Sequence, residues 1–394
     1  MILRYLFPFI DLSVKSWARD ARILRWLTLL WLAVGLLVLF SASYMVAESE
    51  FGDGLFYFRT QLLWVFIGLI GFNTLVHVPL RYIVAIADLM LLVIFGLIII
   101  TLLPGMGTTA YGATRWVAIG SFGLQPSELI KPFLVLQSAR IFGRWHQLRW
   151  VVRISWLVIF SLVLGCILLQ PNLSTAALCG MVIWSVALAS GLPFRYVGGA
   201  ALGGLMLATI SISIHDYQRR RVISFLNPWS SPSGDGYQLI QSLLAIGSGG
   251  AFGTGFGLSQ QKLFYLPIQH TDFIFAVFAE EFGFIGSLLL LIFLATYATF
   301  GLRVALKAPN TTYQLVAIGI VVLLVGQALL NIGVATGALP TTGLPFPMMS
   351  YGGSSMISSL VAAGLLVRVA REGSGGKVVA LTRSRPKRSG SKIS

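Results

Sequence analysis

Ten apolar segments, each about as long as a helix needs to cross a ~30 Å hydrocarbon layer, divide this chain of 394 residues. They fall near 24–46, 60–78, 82–103, 125–142, 154–170, 173–190, 196–214, 273–302, 312–336 and 354–370. Backbone in lipid must pair every N–H and C=O within itself, which leaves only helices and closed barrels. No period-two alternation runs through these segments, so their pattern predicts helices. Composition agrees: 56% of residues are hydrophobic and 10% are charged, against roughly 25% charged in soluble domains. So few charges cannot clothe a soluble particle of this size. The expected fold class is all-α integral membrane, with ten transmembrane helices.

A net charge of +15 would suit a nucleic-acid partner, but the cations sit at the ends of apolar runs and in both termini. No nucleic acid is expected. Counted over alternate connections, one side carries 21 Lys and Arg and the other six. The excess marks the cytoplasmic side, which places both termini in the cytoplasm. The chain then reads as a cytoplasmic segment at 1–22, a ten-helix domain at 23–372, and a basic tail at 373–394 expected to be disordered. The long connection 215–272, between helices seven and eight, falls on the extracytoplasmic side with the 104–124 and 337–353 loops. Three long connections facing one compartment point to a site there.

Only 13 residues are acidic, and those in or near spans need a partner or a function. Asp88 is compatible with a contact to a neighbouring helix. Glu128 and Lys131 share a helix face at i, i+3 spacing; they either neutralise each other or line a polar cavity. Asp272 falls where the long loop turns into helix eight, within reach of both water and a lipid-anchored substrate. On spacing alone a helix N-cap is the default, since Asp suits that role well. Glu280 and Glu281 point to different faces and are expected to orient their helix. Arg219, Arg220, Arg221 and Lys262 are unusual on an outer loop, and match phosphate oxygens of a lipid diphosphate or of lipid head groups. The glycine run 247–257 lacks the spacing of a phosphate-binding loop. The four histidines lack metal-ligand spacing, so no metal site is expected. Cys166 and Cys179 are expected to be inert buried thiols, and Gly199 with Gly203 to mark close helix packing.

At several of these positions the sequence resembles a known family. Gly112-Ala-Thr-Arg-Trp116, Gln125-Pro-Ser-Glu-Leu129 with Lys131, Asn227-Pro-Trp229, Gly236-Tyr-Gln-Leu-Ile-Gln-Ser242, His270-Thr-Asp-Phe273 and Pro347-Met-Met-Ser-Tyr-Gly-Gly-Ser-Ser355 are similar to motifs of the SEDS family of bacterial cell-wall polymerases. The likeness covers about residues 20–372, and Gln261-Lys-Leu-Phe-Tyr-Leu-Pro267 looks more like the division branch than the elongation branch. The resemblance implies a peptidoglycan glycosyltransferase that polymerises lipid II into a lipid-linked glycan chain outside the bacterial plasma membrane, at the septum. It implies a class B penicillin-binding transpeptidase and other division proteins as partners, with membrane lipids around it. It makes Asp272 the catalytic residue. Arg115, Arg220, Arg221, Lys262 and His270 are then candidates for binding the diphosphate or sugar, with a divalent cation (Mg or Mn) as a possible aid. Two acids common in the family are replaced here, by Asn172 and Ile268, which leaves Asp272 more isolated. A lipid II flippase and a scaffold recruiting the transpeptidase are the alternatives.

Overall fold

The computed structural model describes residues 12–104, 107–110, 113–120 and 122–382. Residues 1–11 with Arg4 and Asp11, Gly112 of the first motif, and residues 383–394 of the basic tail lie outside the described residues. Every apolar segment read from the sequence lies in a helix. These begin with α1 (Arg19–Phe51), α2 (Phe56–His77), α3 (Leu80–Leu102), α4 (Pro126–Phe142), α5 (Trp150–Leu169), α6 (Leu173–Ala189) and α7 (Phe194–Ile214). The long connection forms α8 (Asp216–Leu226) and α9 (Tyr237–Ser248), and α10 (Ile274–Leu306), α11 (Thr311–Ala335) and α12 (Gly353–Thr382) complete the chain. Among the described residues, eight helices are long and apolar enough to cross a membrane. The other two apolar segments give α4 and α6, of 17 residues each. Helix α12 runs to Thr382, ten residues beyond the boundary at 372 drawn from the sequence.

Burial sorts the helices into a core and a lipid-facing periphery. Nearly all of α4 is buried. It starts with Pro126, whose missing N–H costs nothing in a first helical turn. By contrast α7 buries only Val197 and leaves Leu202, Leu205, Met206 and Leu207 60–70% exposed. Such a surface is tolerable in hydrocarbon and prohibitive in water. The close packing expected at Gly199 and Gly203 is not met within the chain, since no described atom comes within 4 Å of a Cβ built there.

Two features were not anticipated. A three-stranded antiparallel sheet of β1 (Thr108–Ala110), β2 (Ala113–Ile119) and β3 (Phe122–Leu124) sits between α3 and α4, so the fold is not purely helical. Helix α10 is broken at Gly283 (φ 68°, ψ −165°), and the glycine run closes the gap. Thr254 and Gly255 donate N–H to the carbonyls of Glu280 and Glu281, at 2.9 and 3.1 Å. In return Phe284 and Ile285 donate to Gly250 and Ala251 at 2.9 and 3.1 Å. Irregular backbone within a membrane protein needs such partners, and glycine lets the two chains touch. A Cβ on Gly253 would lie 2.1 Å from the Glu281 carbonyl oxygen.

Candidate active site at Asp272

Asp272 precedes Phe273, the N-cap residue of α10, and no side chain caps that helix. The N-capping role open in the sequence is therefore not the one it plays. Its half-buried carboxylate accepts no hydrogen bond and forms no ion pair with a described residue. Its neighbour on that side is Gly343, where a Cβ would stand 3.6 Å from Oδ2. The backbone, by contrast, is held tightly. The carbonyls of His270, Thr271 and Asp272 accept from Tyr351 N (2.9 Å), Ser350 Oγ (2.5 Å) and Asn331 Nδ2 (2.7 Å). A rigid backbone thus presents a carboxylate with free lone pairs.

Two guanidiniums stand within electrostatic reach. Arg115, from β2, donates Nε to the Gln170 carbonyl (2.9 Å) and Nη2 to the Pro171 carbonyl (2.5 Å). Arg221, from α8, donates Nη1 to the Thr341 carbonyl (3.2 Å) and lies over the Tyr217 ring at 4.5 Å. Burial pushes the Asp272 carboxyl up to about 6, with a smaller push from the Glu128 charge and against the pull of Arg221 and Arg115. Burial also lowers Arg115, opposed by Tyr217 and helped by Arg221. An unpaired carboxylate beside two arginines can take a proton and hold an anion in the same place.

The remaining candidates are arranged differently from the sequence reading. Three consecutive residues on one helix face three ways, so Arg219 pairs with Asp216 (2.6 Å) and Arg220 turns to Asp235 (3.5 Å), leaving only Arg221 at Asp272. Lys262 is buried, donating to Glu281 Oε1 and Ser41 Oγ at 2.8 Å each; its charge is spent inside the protein, not on a diphosphate. His270 is buried and stacked on Tyr57 at 4.7 Å, and burial lowers its imidazole to about 4, so it is no cation at neutral pH. Lys131 donates to Glu128 Oε1 at 2.6 Å, with both side chains buried, so the pair does not line an open cavity. Asp88 pairs with Arg140 at 2.6 Å, and Glu280 accepts from Ser259 Oγ and the N–H groups of Gln260 and Gln261.

A cavity of about 420 Å³ at the opposite end of the bundle is lined by Arg19, Asp20, Arg303 and Lys307 among others. Its carboxylate, Asp20, is taken by Lys307 at 2.6 Å, so it offers no comparable base. Among the described residues no three His, Cys, Asp or Glu side chains converge on a point a metal ion could occupy. One carboxylate within electrostatic reach of two guanidiniums does not fit a cation held by the protein. Sequence reasoning passed over Tyr217, Gln327 and Asn331, and quoted Ser350 within a motif without giving it a role. The signal for Gln327 and Asn331 was present: two amides four residues apart inside an apolar span are costly unless employed.

Fold and site together define a polytopic helical membrane protein with a carboxylate site at one end of its bundle. The chain belongs to the FtsW/RodA/SpoVE family, whose model, described as "Cell cycle protein", matches residues 21–375. It is 55% identical over 380 residues to the probable peptidoglycan glycosyltransferase FtsW of Synechocystis, covering 96% of each chain. It is 37% identical to the stage V sporulation protein E of Bacillus subtilis, covering 88% of this chain and 95% of that one. Among solved structures it resembles the rod-shape-determining protein RodA of Thermus thermophilus, with TM-score 0.65, 28% identity, and coverage of 89% and 96%. A chain from a study of polymerization and crosslinking by a peptidoglycan synthase complex matches with TM-score 0.71 and 30% identity, covering 89% and 97%.

Proposed function

We propose that this peptidoglycan glycosyltransferase polymerises lipid II at the outer face of the plasma membrane during septal wall synthesis, with Asp272 as general base. The single observation that carries the reading is the unpartnered Asp272 carboxylate, on a pinned backbone, beside Arg115 and Arg221. Ten crossings put Asp272, the sheet and the 337–353 loop at one end of the bundle, and the basic flanks make the other end cytoplasmic. No nucleotide triphosphate is available outside, so the donor must carry its own leaving group, as a polyprenyl diphosphate does.

In the step proposed, the 4-hydroxyl oxygen of the incoming GlcNAc attacks C1 of the chain-end MurNAc. The new C1–O bond forms as the C1–O bond to the diphosphate breaks, and the bonding pair leaves with the diphosphate. The hydroxyl proton passes to Asp272 and then to water. A carboxylate is too weak to ionise a free alcohol, but it accepts the proton late, when the forming bond has made the oxygen acidic. Such assistance contributes about 10²–10⁴-fold. Arg221 and Arg115 neutralise charge growing on the departing diphosphate. Displacement from the side opposite an α-linked diphosphate yields a β-1,4 bond with inversion. A class B penicillin-binding transpeptidase is the partner that this reading requires for crosslinking.

Asp272→Asn should insert and fold normally yet polymerise no lipid II, measured by glycan chain length with purified protein and its transpeptidase. The broken α10 and the π turn at Val322–Gly326 in α11 are features also found in transporters, which keeps a flippase as the second reading. Polymerisation retained by Asp272→Asn, or lipid II flipping by that variant in sealed vesicles without polymerisation by the parent, would turn the assignment toward transport.

A further inference from the structure

We infer that Asn331 and Gln327, on one face of α11, are positioning residues for Asp272, and that the buried Glu128–Lys131 pair fixes them in place. The inference rests on the reading of Asp272 as the base. The carbonyls of residues 270–272 lie just before α10 and outside its ladder. The N–H of Ala276 turns to the Phe273 carbonyl at 2.9 Å, leaving the Asp272 carbonyl to another donor. That donor is Asn331, which is 1% exposed and gives Nδ2 to both the Asp272 carbonyl (2.7 Å) and the Leu344 carbonyl (2.9 Å). One amide thus ties the 270–272 turn to the 344–351 loop, whose Ser350 and Tyr351 hold the two preceding carbonyls.

Gln327 precedes Asn331 by four residues and so lies on the same helix face. Its Nε2 donates to the Pro345 carbonyl at 2.7 Å, and its Oε1 accepts from Lys131 Nζ at 3.1 Å. The amide has one satisfactory orientation, because an ammonium only donates and a carbonyl only accepts. Lys131 is in turn held by Glu128 at 2.6 Å. The contacts therefore run from Glu128 and Lys131 in α4, through Gln327, to Pro345 and Leu344, and through Asn331 to the backbone of Asp272. Four polar side chains so deeply buried are costly, and they form one chain of contacts that ends, through Asn331, on the peptide that aims one carboxylate. Leucines of similar size would hold α4 against α11 without them, so the feature they supply is direction.

The test uses the purified full-length chain with its transpeptidase, polymerising lipid II. Asn331→Ala should lower kcat about 10–100-fold through misplacement of the base, with KM for lipid II unchanged. The acid limb of its pH–rate profile should also move down from about 6, as Asp272 drifts toward water. A merely structural loss lowers the height of the profile and leaves its limb in place. Lys131→Met should lower kcat more weakly, acting through Gln327, and should move the acid limb up, because it leaves the Glu128 charge uncompensated within electrostatic reach of Asp272. If Asn331→Ala does not give monodisperse protein, Ser350→Ala carries the same expectation, since it removes the hydroxyl that holds the Thr271 carbonyl and accepts from the Phe346 N–H of the same loop. Unchanged kcat, or a lowered profile with an unmoved limb, overturns the positioning role while leaving Asp272 as base. Normal turnover by Asp272→Asn overturns the base, and positioning with it.

Discussion

At Asp272 two influences compete, and the balance sets how the residue works. Burial raises its carboxyl to about 6 while Arg221 and Arg115 pull it down, so at neutral pH it is ionised yet more basic than an exposed aspartate. A general base acts only when ionised, so kcat/KM should fall as pH drops through about 6, not near the ordinary aspartate value of about 3.9. The sign for stability runs the other way. A carboxyl raised in the folded state disfavours folding when charged; that cost shrinks as pH falls below the raised value and is gone only below the unfolded value of about 3.9. Asp272→Asn should therefore melt above the parent at pH 8, with the difference narrowing through pH 5 and vanishing only near pH 4; a lower melting temperature at pH 8 would contradict the burial argument. Asp272 and the Glu128–Lys131 pair were legible in the sequence because charge is rare in apolar surroundings. Lys262 and Arg220 misled because a cation's identity does not reveal whether it meets water or a carboxylate the fold brings up. Here Glu281 and Asp235 arrive through the turn of α10 and the α8–α9 connection.

Among elements, the broken α10 and its glycine patch are the least expected. Gly253 combines φ +84° with a Cβ position 2.1 Å from a backbone oxygen, whereas Gly250, at φ +53°, faces open space. Gly253→Ala should carry the left-handed strain of roughly 1–2 kcal/mol and also push the patch off Glu281, which supports Lys262. Gly250→Ala should carry the strain alone. Thermal unfolding in detergent should show a clearly larger drop for Gly253→Ala; equal drops would mean the patch does not seal α10. The sequence shows a glycine run unsuited to nucleotides, but its true contact lies some thirty residues on at Gly283, and no periodicity links the two. The sheet between α3 and α4 escaped notice for a related reason: strands of three to seven residues give too short a pattern beside spans of twenty.

At the scale of the molecule, apolar spans and alternating basic flanks were readable along the whole chain, because lipid imposes a length and a polarity on each crossing. Which helices pack was not readable, since lipid-facing and core-facing surfaces are both apolar; the exposed Gly199 and Gly203 face of α7 is the clearest case. The proposed topology, with ten crossings, would place Lys15 and Ser233 on opposite sides of the membrane. Both are exposed, so Ser233→Cys should react with an impermeant thiol reagent on spheroplasts, and Lys15→Cys only after permeabilisation. Equal labelling of both would overturn the topology and remove the site from the outer face. The most direct measurement of the central claim is glycan synthesis from lipid II by the purified protein and its transpeptidase, compared between the parent and Asp272→Asn at matched monodispersity. The account predicts long strands from the parent and none from the variant; strands of parental length from Asp272→Asn would contradict it.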